Sequence, residues 1–144
     1  MNFHSNVEIR DLGSLQTRDE QAEHLVVFSS VPEAYLELYR QYGAATLVFR
    51  GESGHVTYDI KHPIEAAEFY HLFLDDGRIP ADLFPFAAGM GATTLYAGEL
   101  KGKNGVYFCF DSYLGREEME FVSSSLPALL MRGEGIERLI ELER

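Results

Sequence analysis

The chain has 144 residues, of which 46% are hydrophobic and 24% charged, and a formal net charge of −11 at neutral pH. That length and balance fit one domain, which buries roughly 68–70% of the surface its unfolded form exposes. They count against a nucleic-acid binder, since the acidic excess repels phosphate, against a disulfide-stapled domain, since Cys109 is the single cysteine, and against a helical membrane protein, since no apolar run approaches the ~20 residues of a span.

The N-terminal stretch MNFHSNVEIR lacks a basic segment followed by an apolar one, so a cytoplasmic location is expected. Residues 7–12 allow a short strand and residues 17–24 a short helix. Ser30 and Glu33 have the spacing of a capping box, with Pro32 in the first turn of the helix that follows. Val31, Ala34, Tyr35, Leu38 and Tyr42 recur at helical spacing, Glu37 can pair with Arg40, and Gly43 is placed to end the helix. Residues 47–50 and 55–60 read as strands joined by Gly51-Glu52-Ser53-Gly54. Pro63 opens a second helix to about Leu74, whose inward face is Ala66, Phe69, Tyr70 and Phe73, and Gly77 and Pro80 stop it.

Thr93–Leu100 and residues 106–110 alternate on either side of Asn104-Gly105, a pair that tolerates the positive φ of a tight primed turn, and so predict the main hairpin. Cys109, between Phe108 and Phe110, reads as a small buried strand residue, since no basic neighbour activates it. Residues 115–120 form a charged connection. Residues 121–131 read as a helix with Leu126, Leu129 and Leu130 on one side, and Ile136–Leu142 closes the chain as another. Hairpins mixed with flanking helices predict an α+β fold, a mainly antiparallel sheet with helices packed around it.

The chemistry-bearing residues point to binding. His55, Asp59 and His62 hint at a metal, but their spacing runs from a strand into a helix start, so no metal is expected. Asp75-Asp76, Glu117-Glu118 and Glu65 with Glu68 read as solvated faces rather than an acid/base pair. Ser123-Ser124-Ser125 suits a helix cap. Gly89-Met90-Gly91 precedes a strand and opens no helix, so it marks a bend rather than a phosphate cradle. No catalytic residue and no cofactor are expected. On a 3.6-residue helix Glu65, Glu68, Leu72, Asp75 and Asp76 share one face, an apolar anchor within an acidic stripe that suits a basic protein partner or plain solvation. Glu117, Glu118 and Glu120 form a second acidic patch.

The order of three stretches resembles the SMI1/KNR4 family, or SUKH superfamily. Val31-Pro32-Glu33-Ala34-Tyr35 followed by Tyr42-Gly43 is similar to its first helix motif, with Tyr42 where Asn is usual. Leu83-Phe84-Pro85-Phe86-Ala87 with Gly89 and Gly91 resembles its strand leading to a glycine-rich bend. Val106-Tyr107-Phe108, then Phe121 to Leu126, resembles a later strand and the entry to the last helix. The resemblance implies an α+β fold and a non-enzymatic interaction module. Many bacterial members are thought to be immunity proteins that neutralise a cognate toxin, often a nuclease. The expectation is therefore a toxin-binding immunity protein; the alternatives are a regulatory or scaffold module without a toxin, or a small-ligand binder at the Gly89–Gly91 loop and His55, Asp59 and His62.

Overall fold

Alternating apolar residues pair into strands that stay next to their sequence neighbours. The computed structural model describes residues 1–13, 23–74, 82–113 and 119–144. Among these residues seven strands form one sheet: β1 (Val7–Arg10), β2 (Thr46–Gly51), β3 (Gly54–Ile60), β4 (Leu83–Gly89), β5 (Thr93–Leu100), β6 (Lys103–Phe110) and β7 (Glu120–Ser123). They lie in chain order, and every pairing is antiparallel. Helix α1 (Glu33–Tyr42) links β1 to β2, and α2 (Pro63–Phe69) links β3 to β4; α3 (Leu126–Arg132) and α4 (Ile136–Leu142) follow β7. This is the expected α+β architecture.

The β5–β6 turn departs from expectation. It is made by Lys101 and Gly102, at φ 51° and 81°, which suit a two-residue primed turn. Asn104 and Gly105 instead lie within the ladder, opposite Glu99 and Gly98. In this register Leu95 faces Phe108 and Ala97 faces Val106, all on the core side. A turn at Asn104-Gly105 would put Val106 opposite Lys103 and leave Leu95 to pair beyond Phe110. Burial of the apolar set outweighs the local turn preference. Gly98 is required by its neighbours: its φ is 147° and a Cβ there would strike the Asp82 carbonyl. Pro85 sits inside a central strand because the β4 register slips between Pro85 and Ala87, a bulge that tolerates the missing N–H.

Two helix starts also differ. In α1 Pro32 is the cap residue and no side chain caps it, so the Ser30–Glu33 box does not form. Glu33 reaches Arg40 at 3.2 Å instead, which replaces the expected Glu37–Arg40 pair. Tyr35, Leu38 and Tyr39 are its buried residues, and Gly43, at φ 69°, ends it. Residues 121–123, expected to be helical, belong to β7, because pairing with β6 satisfies their backbone. Helix α3 then starts at Leu126, where Ser125 Oγ accepts the Ala128 N–H at 3.0 Å, as the serine run suggested. Glu134 braces this start by accepting from the Ser123 hydroxyl at 2.8 Å and from the Ser124 N–H. Residues 23–25 are helical; the rest of the helix expected over 17–24, and most of the 115–120 connection, lie outside the described residues.

The main core lies between the sheet and the helices, around Tyr35, Leu38, Phe49, Phe84, Phe108 and Leu139. Each such side chain contributes about 1.5–3 kcal/mol by leaving water. A second cluster, Phe69, Leu83, Tyr96, Tyr107 and Cys109, covers part of the opposite face. Cys109 is thus a buried strand residue, as its neighbours implied.

Two outcomes follow. Gly54 and Gly98 share nearly the same φ, 145° and 147°, but only Gly98 is crowded. Gly98→Ala should therefore lose at least about 1 kcal/mol more than Gly54→Ala in urea unfolding, and equal losses would refute the close approach. Hydrogen bonds from Arg10 and then Arg50 hold the Glu8 carboxyl down to about 2, and the Ser124 N–H followed by the Ser124 and Ser123 hydroxyls does the same for Glu134. Both carboxyls are lower in the folded state, so their stabilisation is full above the unfolded value of 4.5 and is lost as pH falls toward about 2. The melting temperature should decline across that window, and Glu134→Gln should flatten the decline.

Candidate functional site

Helix α2 owes its position to its first turn. Pro63 starts it with a preset φ, and Glu65 Oε1 folds back to accept the His62 N–H at 3.0 Å. Pro63, Ala66, Ala67 and Phe69 face inward. After Phe69 the chain widens into one π-helical turn, Tyr70–Leu74, so the predicted helix is present but its last turn has a different pitch.

The outward face carries Glu65, Glu68 and Leu72, as the helical spacing indicated. Leu72 is 72% exposed and Ile64 39%. Ile64 and exposed His71 complete this face and were missed by the sequence reading, which sought acids around one leucine. The helical spacing itself pointed to them, since 64, 68, 71 and 72 recur at one-turn steps. Among the described residues Glu68 takes part in no ion pair or hydrogen bond, whereas Glu65 is spent on the helix start. Asp75 and Asp76, proposed for the same stripe, lie outside the described residues, as do Glu117 and Glu118 of the second patch.

Glu120 lies on β7, where it accepts from Arg138 of α4 at 2.9 Å. Helix α2 packs on β4, and β7 is the third strand beyond it. Three strand spacings span roughly 14 Å, so Glu120 and the α2 face are not one continuous patch.

The histidine group does not assemble. His62 Nδ1 is hydrogen-bonded to the Tyr39 hydroxyl at 2.8 Å, and Asp59 accepts from Thr46 at 2.8 Å. His55 lines a groove of about 330 Å³ with Met90, Ile140, Glu143 and Arg144. No three His, Cys, Asp or Glu side chains among the described residues could hold a metal ion. The Gly89–Gly91 bend does reach this groove through Met90, which is 89% exposed. No helix among the described residues is long and apolar enough to cross a membrane.

A polar cluster on the sheet face away from the main core also escaped the sequence reading. Lys61 follows β3, Thr94 and Tyr96 lie on β5, and Asp111 follows β6. Thr94 donates to Asp111 at 2.8 Å, and Lys61 Nζ lies 4.6 Å from the centre of the Phe69 ring. Burial pushes the Asp111 carboxyl up, against the Thr94 hydrogen bond and the Lys61 charge, and burial pulls the Lys61 ammonium down, against Glu65 and Asp111. No local motif announces residues so far apart in sequence.

No protein-family model matches the chain, and no curated protein or solved structure matches it either. The likeness to SMI1/KNR4 rests on the sequence motifs alone.

The two glutamates of α2 should separate in a stability assay. Glu65→Gln keeps a hydrogen-bonding oxygen and should be near neutral, whereas Glu65→Ala should cost about 1 kcal/mol through loss of the helix-start contact. Glu68→Lys should stay within about 0.5 kcal/mol of the parent. Chemical denaturation of the three variants checks this order.

Proposed function

We propose that the protein acts by binding another protein and that its partner is a basic toxin, so that it serves as an immunity protein. The observation that carries this reading is the outward face of α2, where exposed Leu72 and Ile64 flank Glu65 and Glu68 on a chain of net charge −11. An apolar anchor beside an unpaired acid, Glu68, suits a partner whose cleft is positive, as a nuclease cleft must be to hold phosphate. The acidic excess would speed association and make it sensitive to salt. The contact residues in this reading are Glu65, Glu68 and Leu72, joined by Asp75 and Asp76; Glu117, Glu118 and Glu120 would form a separate secondary contact. No bond is made or broken, and no cofactor takes part. The sequence resemblance to a family rich in immunity proteins supports the same reading.

The test is protection together with kinetics. Cells producing a basic nuclease toxin encoded beside this gene should survive when the protein is co-expressed. Association of the purified pair should slow roughly tenfold between about 20 and about 300 mM salt. Glu68→Lys combined with Leu72→Asp should weaken binding by at least about tenfold while leaving the melting temperature nearly unchanged. Tight binding that ignores both the salt and the double substitution would remove this face from the reading.

A further inference from the structure

The first half of β3 lacks a neighbour on one side. Strand β3 pairs with β2 from Gly54 to Asp59, but with β4 only from Tyr58 to Ile60. Its residues alternate in the side their backbone groups address. The Lys61 N–H, just past the strand, donates toward β4, to the Phe86 carbonyl at 2.9 Å, whereas the Ile60 N–H donates the other way, to the Ala45 carbonyl at 2.9 Å. His55 and Thr57 share the parity of Lys61, so their backbone groups address the β4 side, where no residue of β4 pairs with either. The gap exists because β4 ends at Gly89 and the chain turns away through Met90.

The groove of about 330 Å³ runs along this open edge. Val56 and Ile140 give it apolar lining, and Met90 lines it while almost wholly in water. Two cations border it. Arg144 is held on the Ser53 carbonyl at 2.6 Å, and the His55 side chain lies on the sheet face opposite Val56. Glu143 is the groove's acid, and its Oε1 is buried without a well-formed hydrogen bond. The Tyr58 hydroxyl and Thr93 Oγ1 are buried in the same condition, on side chains that are themselves fully buried. Burial first, and then the nearby Glu143 carboxylate, pushes the Tyr58 hydroxyl above its ordinary range. Glu143 is thus the most accessible of three polar groups left short of partners.

We propose that residues 54–57 of β3 receive an extended segment of a partner protein as an added strand, with a lysine or arginine side chain of that segment laid over Val56 and Ile140 and its charge on Glu143. Unpaired N–H and C=O groups at alternate positions are a template for another backbone. The residue of the added strand opposite Val56 shares its face, toward Ile140 and Glu143. An aliphatic stem fits the apolar lining, and a cationic end supplies the donor that Glu143 lacks. The net charge of −11 favours the same occupant. This site does not rest on the toxin reading: α2 follows the last residue of β3, about 20 Å along the strand from Gly54.

The probe is a fluorescein-labelled pentapeptide, Val-Thr-Lys-Thr-Val, whose side-chain order is the same in both directions, titrated with the full chain and followed by anisotropy. It should bind saturably. Glutamate in place of its lysine should weaken binding at least about tenfold, the size of a charge-assisted hydrogen bond, and Glu143→Gln should remove most of that preference. N-methylation of every peptide amide should abolish binding. His55→Pro removes an N–H on the open side and no bond to β2, so it should weaken binding about tenfold at an unchanged melting temperature. If that variant does not fold, the methylated peptide reads the same pairing on the unaltered protein. No binding of the lysine peptide at about 1 mM, or equal binding of the methylated one, would overturn the proposal. Acetyl-lysine amide binding as tightly as the pentapeptide would overturn it too, because the groove would then take a cation without a strand. A dimer of this chain that His55→Pro dissociates would overturn it by giving the edge to a second copy.

Discussion

A single seven-residue helix touches strands from both ends of the sheet, and the rest of the architecture depends on that contact. Helix α4 packs against β2, β3 and β7. Strands β3 and β7 are four positions apart, about 19 Å in a flat sheet, while the helix is only about 10 Å long. The sheet therefore coils around α4, which buries Ile136, Leu139 and Ile140. Polar contacts fasten both ends. Glu137 accepts the Glu52 N–H at 2.8 Å, and Arg144 donates to the Ser53 carbonyl at 2.6 Å, so the β2–β3 turn is clasped. On the β7 side Arg138 donates to Glu120 at 2.9 Å, and Gly135 lies against the Val122 carbonyl, where a larger residue would not fit.

Coiling in one direction gives the sheet two unequal faces. The inner face takes α1, α3, α4 and most of the aromatic core. The outer face of β4, β5 and β6 carries its own apolar cluster, under Phe69 of α2. Their burial therefore runs nearly unbroken, since both sides meet protein. Helix α2 joins the two regions, with Ala66 in the main core and Phe69 in the outer cluster. Its remaining side has no layer to cover it among the described residues, which explains why Ile64 and Leu72 stay exposed.

Several of the acids are used internally. Glu8 is tied to Arg10 and Arg50, Glu33 to Arg40, Glu120 to Arg138, and Glu134 to the β7–α3 link. Exposed pairs of this kind contribute little to stability each. They do decide which acids can meet a partner at low cost, because a carboxylate already paired must give up that contact. Glu68 is the acid of the α2 face that carries no such cost.

Residues 63–69, 93–100 and 136–142 could be read directly from the chain, because Pro63, the alternation of β5 and the Gly135 break are signals within a few residues of the element they define. The outward direction of Glu65, Glu68 and Leu72 followed from helical spacing for the same reason. The position of the β5–β6 turn, the strand at 120–123 and the π-helical turn did not follow. Asn104-Gly105 and Lys101-Gly102 are both acceptable turns in isolation, and pairing with β4 and β7 chose between them. Likewise Thr94 bonds Asp111 only because β5 and β6 stand in one particular register. Local patterning thus located four helices, with the start of α3 misplaced, and five of the seven described strands, together with the acidic character of the molecule. Tertiary structure alone decided register, curvature and the outer-face cluster, since those depend on burial against partners that no short window of sequence contains.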